Sequence, residues 1–517
     1  MSAEQRAEVP ATVEPVDRRW VAASGVVATL AGLVVAELFA WGIAPTGSPL
    51  QAIGTWLIDI FPAPLINFGK DTLGTLDKPI LIIIVGLVAL VLGACAALLH
   101  HRRRHAGWLI MIPLALLCGW AAIRAGRNPV FDVLPTLAAV GIAAPLIRAL
   151  LDRLDPPGAR MTITDDSRRQ FLQWFAGTSI VTGILGIAGL TMNRQGSPSA
   201  PPPPLPAPAT PAPPVPAGVD LGVDGLTPYI TPNADFYRID TALVVPRIKV
   251  EDWSLTITGL VDREVTITWA DLVARPMVEH VLTLACVSNT VGGDLVGNAT
   301  WLGVPIRDLL AEAGPQEGAD MVLSTSHDGF TAGSPLEVLM EDDRQALLAI
   351  GMNGETLPYE HGFPARLVVP GLYGYVSATK WVTELKVTTF AQDEGYWTPL
   401  GWSALGPIKL ASRIDVPRSK VGAGEVVVAG VAWAQHTGIS AVEVQVDDGP
   451  WQKAELAPVT GPDTWRQWSW TWPDATPGEH RLTCRATDAD GAGQETAFAP
   501  PAPNGATGLH TRTVTVS

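Results

Sequence analysis

The chain has 517 residues, 47% of them hydrophobic and only 16% charged, with a net charge of −15. It is too long for one domain and too apolar for a wholly soluble protein. Four cysteines, at 95, 118, 286 and 484, do not make a disulfide framework.

Most of the apolarity lies before residue 193. Runs at roughly 20–42, 79–99, 107–123, 131–151 and 173–192 each approach the ~20 residues needed to cross a bilayer. They predict a membrane domain over 1–196 with about five transmembrane helices. Segment 48–68 is also apolar, but Asp59, Pro62 and Pro64 favour an interfacial or re-entrant piece, a sixth span being the alternative. Glu37 lies inside the first run, where a carboxylate needs a hydrogen-bond partner or solvent.

Basic residues orient the bundle. Arg18 and Arg19 precede the first run, Arg102–Arg104 follow the second, and Arg148, Arg153, Arg160, Arg168 and Arg169 separate the fourth from the fifth. With five spans these clusters share one side, which puts the N-terminus in the cytoplasm and everything beyond about 193 outside the cell membrane. Arg124 and Arg127 are minor exceptions. The stretch Ser167-Arg168-Arg169-Gln-Phe171-Leu172 looks like a twin-arginine export signal within a multi-pass protein.

Residues 197–218 form a Pro/Ala-rich linker, expected to be an extended, semi-rigid stalk. Charge divides there: residues 1–196 carry 16 Lys and Arg against 13 Asp and Glu, and the remainder 19 against 37, a net −18. So acidic a portion argues against a nucleic-acid partner. Over 219–407, strand-like runs (Leu255–Thr258, Val265–Ile267, Val281–Leu284, Met321–Ser324) mix with helical ones (Ile306–Ala313, Glu341–Leu348), predicting an α+β domain. Over 408–517 the pattern becomes all-β, with strands near 425–433, 440–446, 466–472 and 480–487, and an immunoglobulin-like sandwich fits it. Trp433, Trp465, Trp468 and Trp470 are expected in its core, and Cys484 as a buried structural thiol.

The chemistry concentrates in the middle domain. Cys286 ends an apolar run, Thr283-Leu-Ala-Cys286-Val-Ser-Asn289, and 75 residues later comes His361-Gly-Phe-Pro-Ala-Arg366-Leu-Val-Val-Pro-Gly371, closing on Thr379-Lys380-Trp381. A thiolate is a soft anionic ligand for a metal. Arg366 can grip a phosphate with two donors, Lys380 adds a point charge, His361 can hydrogen-bond a pterin or phosphate, and Gly362, Gly371 and Gly374 allow close backbone approach.

This constellation resembles the molybdenum-binding segment of the sulfite oxidase family. The resemblance extends from Thr231-Pro-Asn-Ala-Asp-Phe-Tyr237-Arg238 to the C-terminus, through Gly297-Asn-Ala-Thr-Trp301 and Met352-Asn-Gly-Glu-Thr-Leu-Pro-Tyr-Glu-His361. It implies a molybdenum–molybdopterin cofactor (Moco) bound through Cys286, and oxygen-atom transfer on a small-molecule substrate. It further implies cofactor contacts from Tyr237, Arg238, Asn289, Asp328, His361, Arg366, Thr379 and Lys380, with Tyr396 beside the metal. The family's C-terminal module serves dimerisation, which implies a homodimer.

Two departures limit the analogy. Where sulfite-oxidising members carry an arginine about five residues after the cysteine, this chain has Thr290-Val291-Gly-Gly, and a second substrate arginine is replaced near Gln435-His436-Thr437. The substrate therefore stays open, with a sulfoxide reductase of the same superfamily as one alternative and a cofactor-free cell-surface binding protein as another. No haem ligands stand within the spans, so a separate electron carrier, cytochrome or quinone-linked, is expected.

Overall fold

The structure, a computed structural model, describes residues 16–43, 47–62, 77–125, 129–154, 165–195 and 203–517. The chain divides into two compact units, Met1–Ser199 and Ala200–Ser517. Arg127, Arg160, residues 63–68 of the expected interfacial piece and the start of the linker lie outside the described residues.

In the first unit four helices are long and apolar enough to cross a membrane: Arg18–Ile43, Asp77–Arg102, Leu134–Leu154 and the Arg169–Ala188 part of Asp165–Gln195. The third expected run, 107–123, forms Trp108–Ala125, 18 residues or ~27 Å long, and is the shorter apolar helix. The expected five therefore resolve into four long helices and one short one. Pro49–Ile60 has only 12 residues, too few to span, and begins on Ser48, whose hydroxyl accepts from Gln51 N at 3.2 Å. That same hydroxyl lies 2.7 and 2.9 Å from the two oxygens of Glu37 and gives the carboxylate its partner. Glycines set the helix crossings. Gly25 against Gly93, and Gly32 against Ala139, leave no room for a side chain.

The second unit opens with two sheets. One has the order β2 (Val265–Thr268), β1 (Ser254–Gly259), β10 (Val382–Thr388), β5 (Met321–Ser326), β6 (Thr331–Pro335), with only β1 and β10 parallel. The other has β3 (Val278–Ala285), β4 (Val296–Pro305), β7 (Leu347–Met352) and β8 (Glu355–Thr356), with β9 (Arg366–Val368) on β7. Helix Ile306–Ala313 forms where its spacing predicts, burying Ile306, Leu309, Leu310 and Ala313 and ending on left-handed Gly314.

Glu341–Leu348, expected to be helical, is not. The chain turns at Gln345, whose φ is +53°, and Leu347–Met352 becomes a wholly buried strand. A run of six apolar residues fits a central strand as well as a helix, and sheet pairing on both edges decides for the strand.

From Ala411 two antiparallel sheets pack face to face. One runs β11 (Ala411–Val416), β13 (Gly424–Trp433), β17 (Arg466–Ala475), β16 (Glu455–Leu456). The other runs β12 (Lys420–Val421), β19 (Thr511–Val516), β18 (Gly478–Asp488), β14 (Ile439–Val446), β15 (Gln452–Lys453), with β12 and β19 parallel. Trp468 and Trp472 fill their shared core beside Cys484, which is fully buried. Trp433 and Trp465 instead enter the core of the preceding domain, where the Trp465 indole donates to Tyr229 O at 2.8 Å. The two domains thus interlock.

The expected stalk is not free over its described length. Ala209 N donates to Met277 O at 2.8 Å, Glu279 N to Thr210 O at 2.9 Å and Thr356 Oγ1 to Pro203 O at 3.1 Å. An extended Pro/Ala chain carries few donors of its own, so it suits a strap laid on a sheet edge.

Candidate functional site

β3 delivers Cys286 at its C-terminal end, 8% exposed, with its amide bonded to Leu295 O at 2.9 Å. The chain then reverses. Asn289 N donates to Cys286 O at 3.0 Å, and the Asn289 carboxamide oxygen accepts Leu295 N at 3.0 Å, so Asn289 closes the loop around the thiol. Gly292, with φ +75°, passes against the His510 ring from the C-terminal sandwich, where any side chain would collide.

Against this loop stands the segment His361–Lys380. Gly362 has φ +116°, and a Cβ there would lie 3.0 Å from that of Arg366 and 3.1 Å from that of Lys380. Glycine thus lets the two cations sit beside His361. Arg366 is 4% exposed and spends its donors on carbonyls, His361 O at 3.1 Å and Leu367 O and Ala378 O at 3.4 Å, while its guanidinium stacks 5.1 Å over the Trp301 ring. No carboxylate pairs with it among the described residues. Burial pulls its pKa down to about 10, with the Tyr237 hydroxyl acting in the opposite direction.

Lys380, 9% exposed, reaches Asp240 Oδ2 at 3.1 Å and Glu360 O at 2.9 Å. Burial still brings it down to about 8, Asp240 opposing and Arg366 adding to the fall. His361 Nε2 donates to Asn233 O at 2.9 Å, leaving Nδ1 as a buried acceptor without a partner. Desolvation, helped by Arg366 and Lys380, holds this imidazole near 4. An orphaned acceptor beside an uncompensated guanidinium is a pocket shaped for a ligand with an anionic group and N–H donors.

The remaining predicted residues sit at graded distances from this centre. Tyr237 feels both the Cys286 thiol and Arg366, and burial pushes its phenol well up. Arg238 joins Asp240 at 2.9 Å and so shares the carboxylate of Lys380. Thr379 is fully buried, with its hydroxyl 2.7 Å from Ser324 Oγ. Asp328 accepts from Thr241 Oγ1 at 3.3 Å, next to Asp240 in sequence. Tyr396 packs between Phe330, at 5.8 Å, and Trp397, at 5.1 Å, with its amide on Thr331 O.

Two residues escaped the sequence reading. Tyr373, inside the Gly371–Gly374 turn, is 5% exposed and close enough to the thiol to feel its charge; burial raises it to about 12. Arg413, from the sandwich, donates to Gly293 O at 2.8 Å in the loop after Cys286, and its charge is matched by Asp415 at 2.6 Å. Tyr373 falls between the two quoted stretches His361–Gly371 and Thr379–Trp381, and nothing local marks Arg413. At the second of the two positions expected to lack a substrate arginine, Gln435 Nε2 donates to Thr283 O at 3.0 Å, and His436 Nδ1 lies 3.2 Å from Asp463 Oδ1.

His510 shares the fate of His361: burial, with Arg512 and Arg413 nearby, holds it near 4, and its Nδ1 accepts Ile414 N at 2.9 Å. Both imidazoles are neutral when folded and protonate on unfolding once the pH falls below 6.5. Their contribution is therefore complete above pH 6.5 and lost as the pH drops towards 4. Each is worth up to ~3 kcal/mol over that window. Chemical denaturation of the cofactor-free protein at pH 7 and pH 4.5 should show a large fall in midpoint, reduced in His510→Gln.

Residues 242–397 match the model of the oxidoreductase molybdopterin binding domain. Mitochondrial sulfite oxidase of Rattus norvegicus is 27% identical over 314 residues, covering 50% of this chain and 56% of that protein, and the Homo sapiens enzyme is 28% identical with the same coverage. Gallus gallus sulfite oxidase is 28% identical over 53% of this chain and 69% of its own length. The chain thus spans little more than half the length of the first two. Among solved structures, the sulfane dehydrogenase SoxCD from Paracoccus pantotrophus aligns with a TM-score of 0.48 at 24% identity, covering 57% of this chain and 85% of that one. Residues 242–397 are thus a molybdopterin-binding oxidoreductase domain, and the chain is a molybdenum-dependent oxidoreductase similar to the sulfite oxidases over about half its length.

Proposed function

We propose that this protein is a membrane-anchored, extracytoplasmic oxidoreductase that transfers an oxygen atom to or from a small, weakly charged substrate. The observation that carries the reading is the buried, carboxylate-free Arg366 beside the orphaned His361 Nδ1 and the Cys286 thiol. Cys286 would ligate molybdenum, and Arg366 and Lys380 would hold the phosphate of the pterin. His361, an acceptor at Nδ1, suits a pterin N–H rather than a phosphate oxygen. Arg238 and Asp328 approach through Asp240 and Thr241, Asn289 shapes the loop, and Thr379 adjoins Lys380 in the chain. When bound, the molybdenum centre supplies two-electron oxygen-atom chemistry; the chain's residues position, desolvate and hydrogen-bond. Tyr237 and Tyr373, kept protonated by burial, are donors beside the thiol, and Tyr396 borders the approach past Phe330.

The substrate class follows from charge. Sulfite requires cationic partners, but the candidate positions hold Val291, Gln435 and a carboxylate-paired His436, and the nearby Arg413 is neutralised by Asp415. An uncharged sulfur oxide or thioether fits better than a dianion. The basic clusters at 18–19, 102–104 and 148–169 support a cytoplasmic N-terminus, and the Arg168-Arg169 pair supports export of an already folded, cofactor-loaded domain. The strand orders β11-β13-β17-β16 and β19-β18-β14 support reading the C-terminal module as an immunoglobulin-like sandwich, which would support a homodimer. Electrons would pass to or from a separate carrier, cytochrome or quinone-linked.

The test is metal and pterin analysis of the full chain, purified from a molybdopterin-producing host, followed by a dye-linked screen of sulfoxides and sulfite. About one molybdenum and one pterin per chain, with sulfoxides favoured over sulfite, is the expected result. A folded protein lacking both would refute the assignment.

A further inference from the structure

A second constellation of ligand-type side chains lies where the molybdopterin-binding domain meets the sandwich. Glu341 and Asp343, before β7, and His436, in the turn after β13, each bring one ligand atom within 4.8 Å of the others. The group is more than surface acids, because its imidazole comes from the other domain. His436 is held in a left-handed conformation, φ +69°, by a turn closed through Thr437 N and Gly438 N on Ala434 O, at 3.0 and 2.7 Å.

Outside the three residues stand groups that orient them. Asp463, 3% exposed, takes His436 Nδ1 on one oxygen at 3.2 Å and His280 Nε2 on the other at 2.8 Å. A carboxylate on Nδ1 fixes the tautomer that leaves Nε2 bare, the arrangement found behind metal-bound histidines. Arg344 Nε donates to Glu341 Oε2 at 2.7 Å and so turns that carboxylate while leaving Oε1. Arg344 and the Gln435–His436 backbone both lie against Gly371, where a Cβ would stand 2.9 Å from Arg344 Nη1.

We propose that Glu341, Asp343 and His436 bind one divalent ion of the zinc class, clamping the sandwich to the molybdopterin-binding domain. One imidazole and two carboxylates suit zinc, whereas magnesium and calcium prefer oxygen ligands alone. The ion would bridge two segments that lie against the Gly371–Gly374 turn.

The experiment uses the full chain in detergent, stripped with chelator, equilibrated with Zn2+ and desalted. The wild type should retain one zinc more per chain than Asp343→Asn or His436→Gln, and Zn2+ should raise the melting temperature of the wild type alone. Asp463→Asn should weaken Zn2+ by about 10- to 100-fold, as loss of an orienting carboxylate does. With Co2+ as probe, the signal lost in Asp343→Asn should be ligand-field absorption without a thiolate charge-transfer band. Equal zinc in wild type and both variants, or a cobalt signal of thiolate type that survives them, overturns the proposal. Asp343 is exposed, so its variant folds and decides the matter even where His436→Gln does not.

Discussion

Cys286→Ser is expected to abolish turnover, by at least about 10³-fold or ~4 kcal/mol of barrier, while leaving the fold intact. Serine is nearly isosteric, and the backbone bond from residue 286 to Leu295 O does not involve the side chain. The stability cost should stay near ~1 kcal/mol. What is lost is the soft thiolate, which no other described cysteine can replace: Cys484 is fully buried in the sandwich, with its thiol pushed up to about 12. Parallel measurement of turnover, molybdenum content and thermal melting separates ligation from folding. Undiminished turnover in a folded variant would remove Cys286 from the metal.

Arg366→Met is expected to have opposite effects on stability and on cofactor retention. In the cofactor-free protein the buried guanidinium is held near 10 against an ordinary 12.5. Keeping it charged therefore costs on the order of 3 kcal/mol. Methionine fills similar space, still lies on Trp301 and carries no charge, but it deserts the carbonyls of His361, Leu367 and Ala378, a loss of about 1–2 kcal/mol. The net expectation is a cofactor-free protein more stable by about 1–2 kcal/mol that no longer retains pterin. Arg366→Lys keeps the charge without the two-pronged donor and should retain pterin weakly. Denaturant titration of protein made in a pterin-deficient host, beside pterin content from a competent one, gives both readings. A destabilised variant with normal pterin would mean that Arg366 is architectural.

The sequence made much of this site legible because its chemistry is written in unusual residues at fixed spacing. Cys286, His361, Arg366 and Lys380 need no knowledge of the fold to be noticed, and the structure brings His361, Arg366 and Lys380 around Gly362. Helix Ile306–Ala313 was legible from its apolar period alone. The losses are all tertiary. Leu347–Met352 reads equally as helix or strand until β4 and β9 flank it. Trp465 carries no mark showing that it crosses into the neighbouring core. Arg413 reaches the Cys286 loop across 120 residues of sequence. Tyr373 went unmarked, since proximity to a thiol is not a local property.

The strap over residues 203–212 covers an edge of the catalytic fold. β3 is the outermost strand of its sheet, and an uncovered outermost strand invites pairing with another chain. Ala209–Thr210 occupy its first half, while Asp463 O and Gln435 cover Thr283 in its second. The linker and the sandwich thus act as two chaperoning hands on the strand that carries the thiol. A soluble form that begins after the prolines would bare half of that edge, so the natural starting point for dissecting the enzyme lies before Pro203 rather than at the first globular residue.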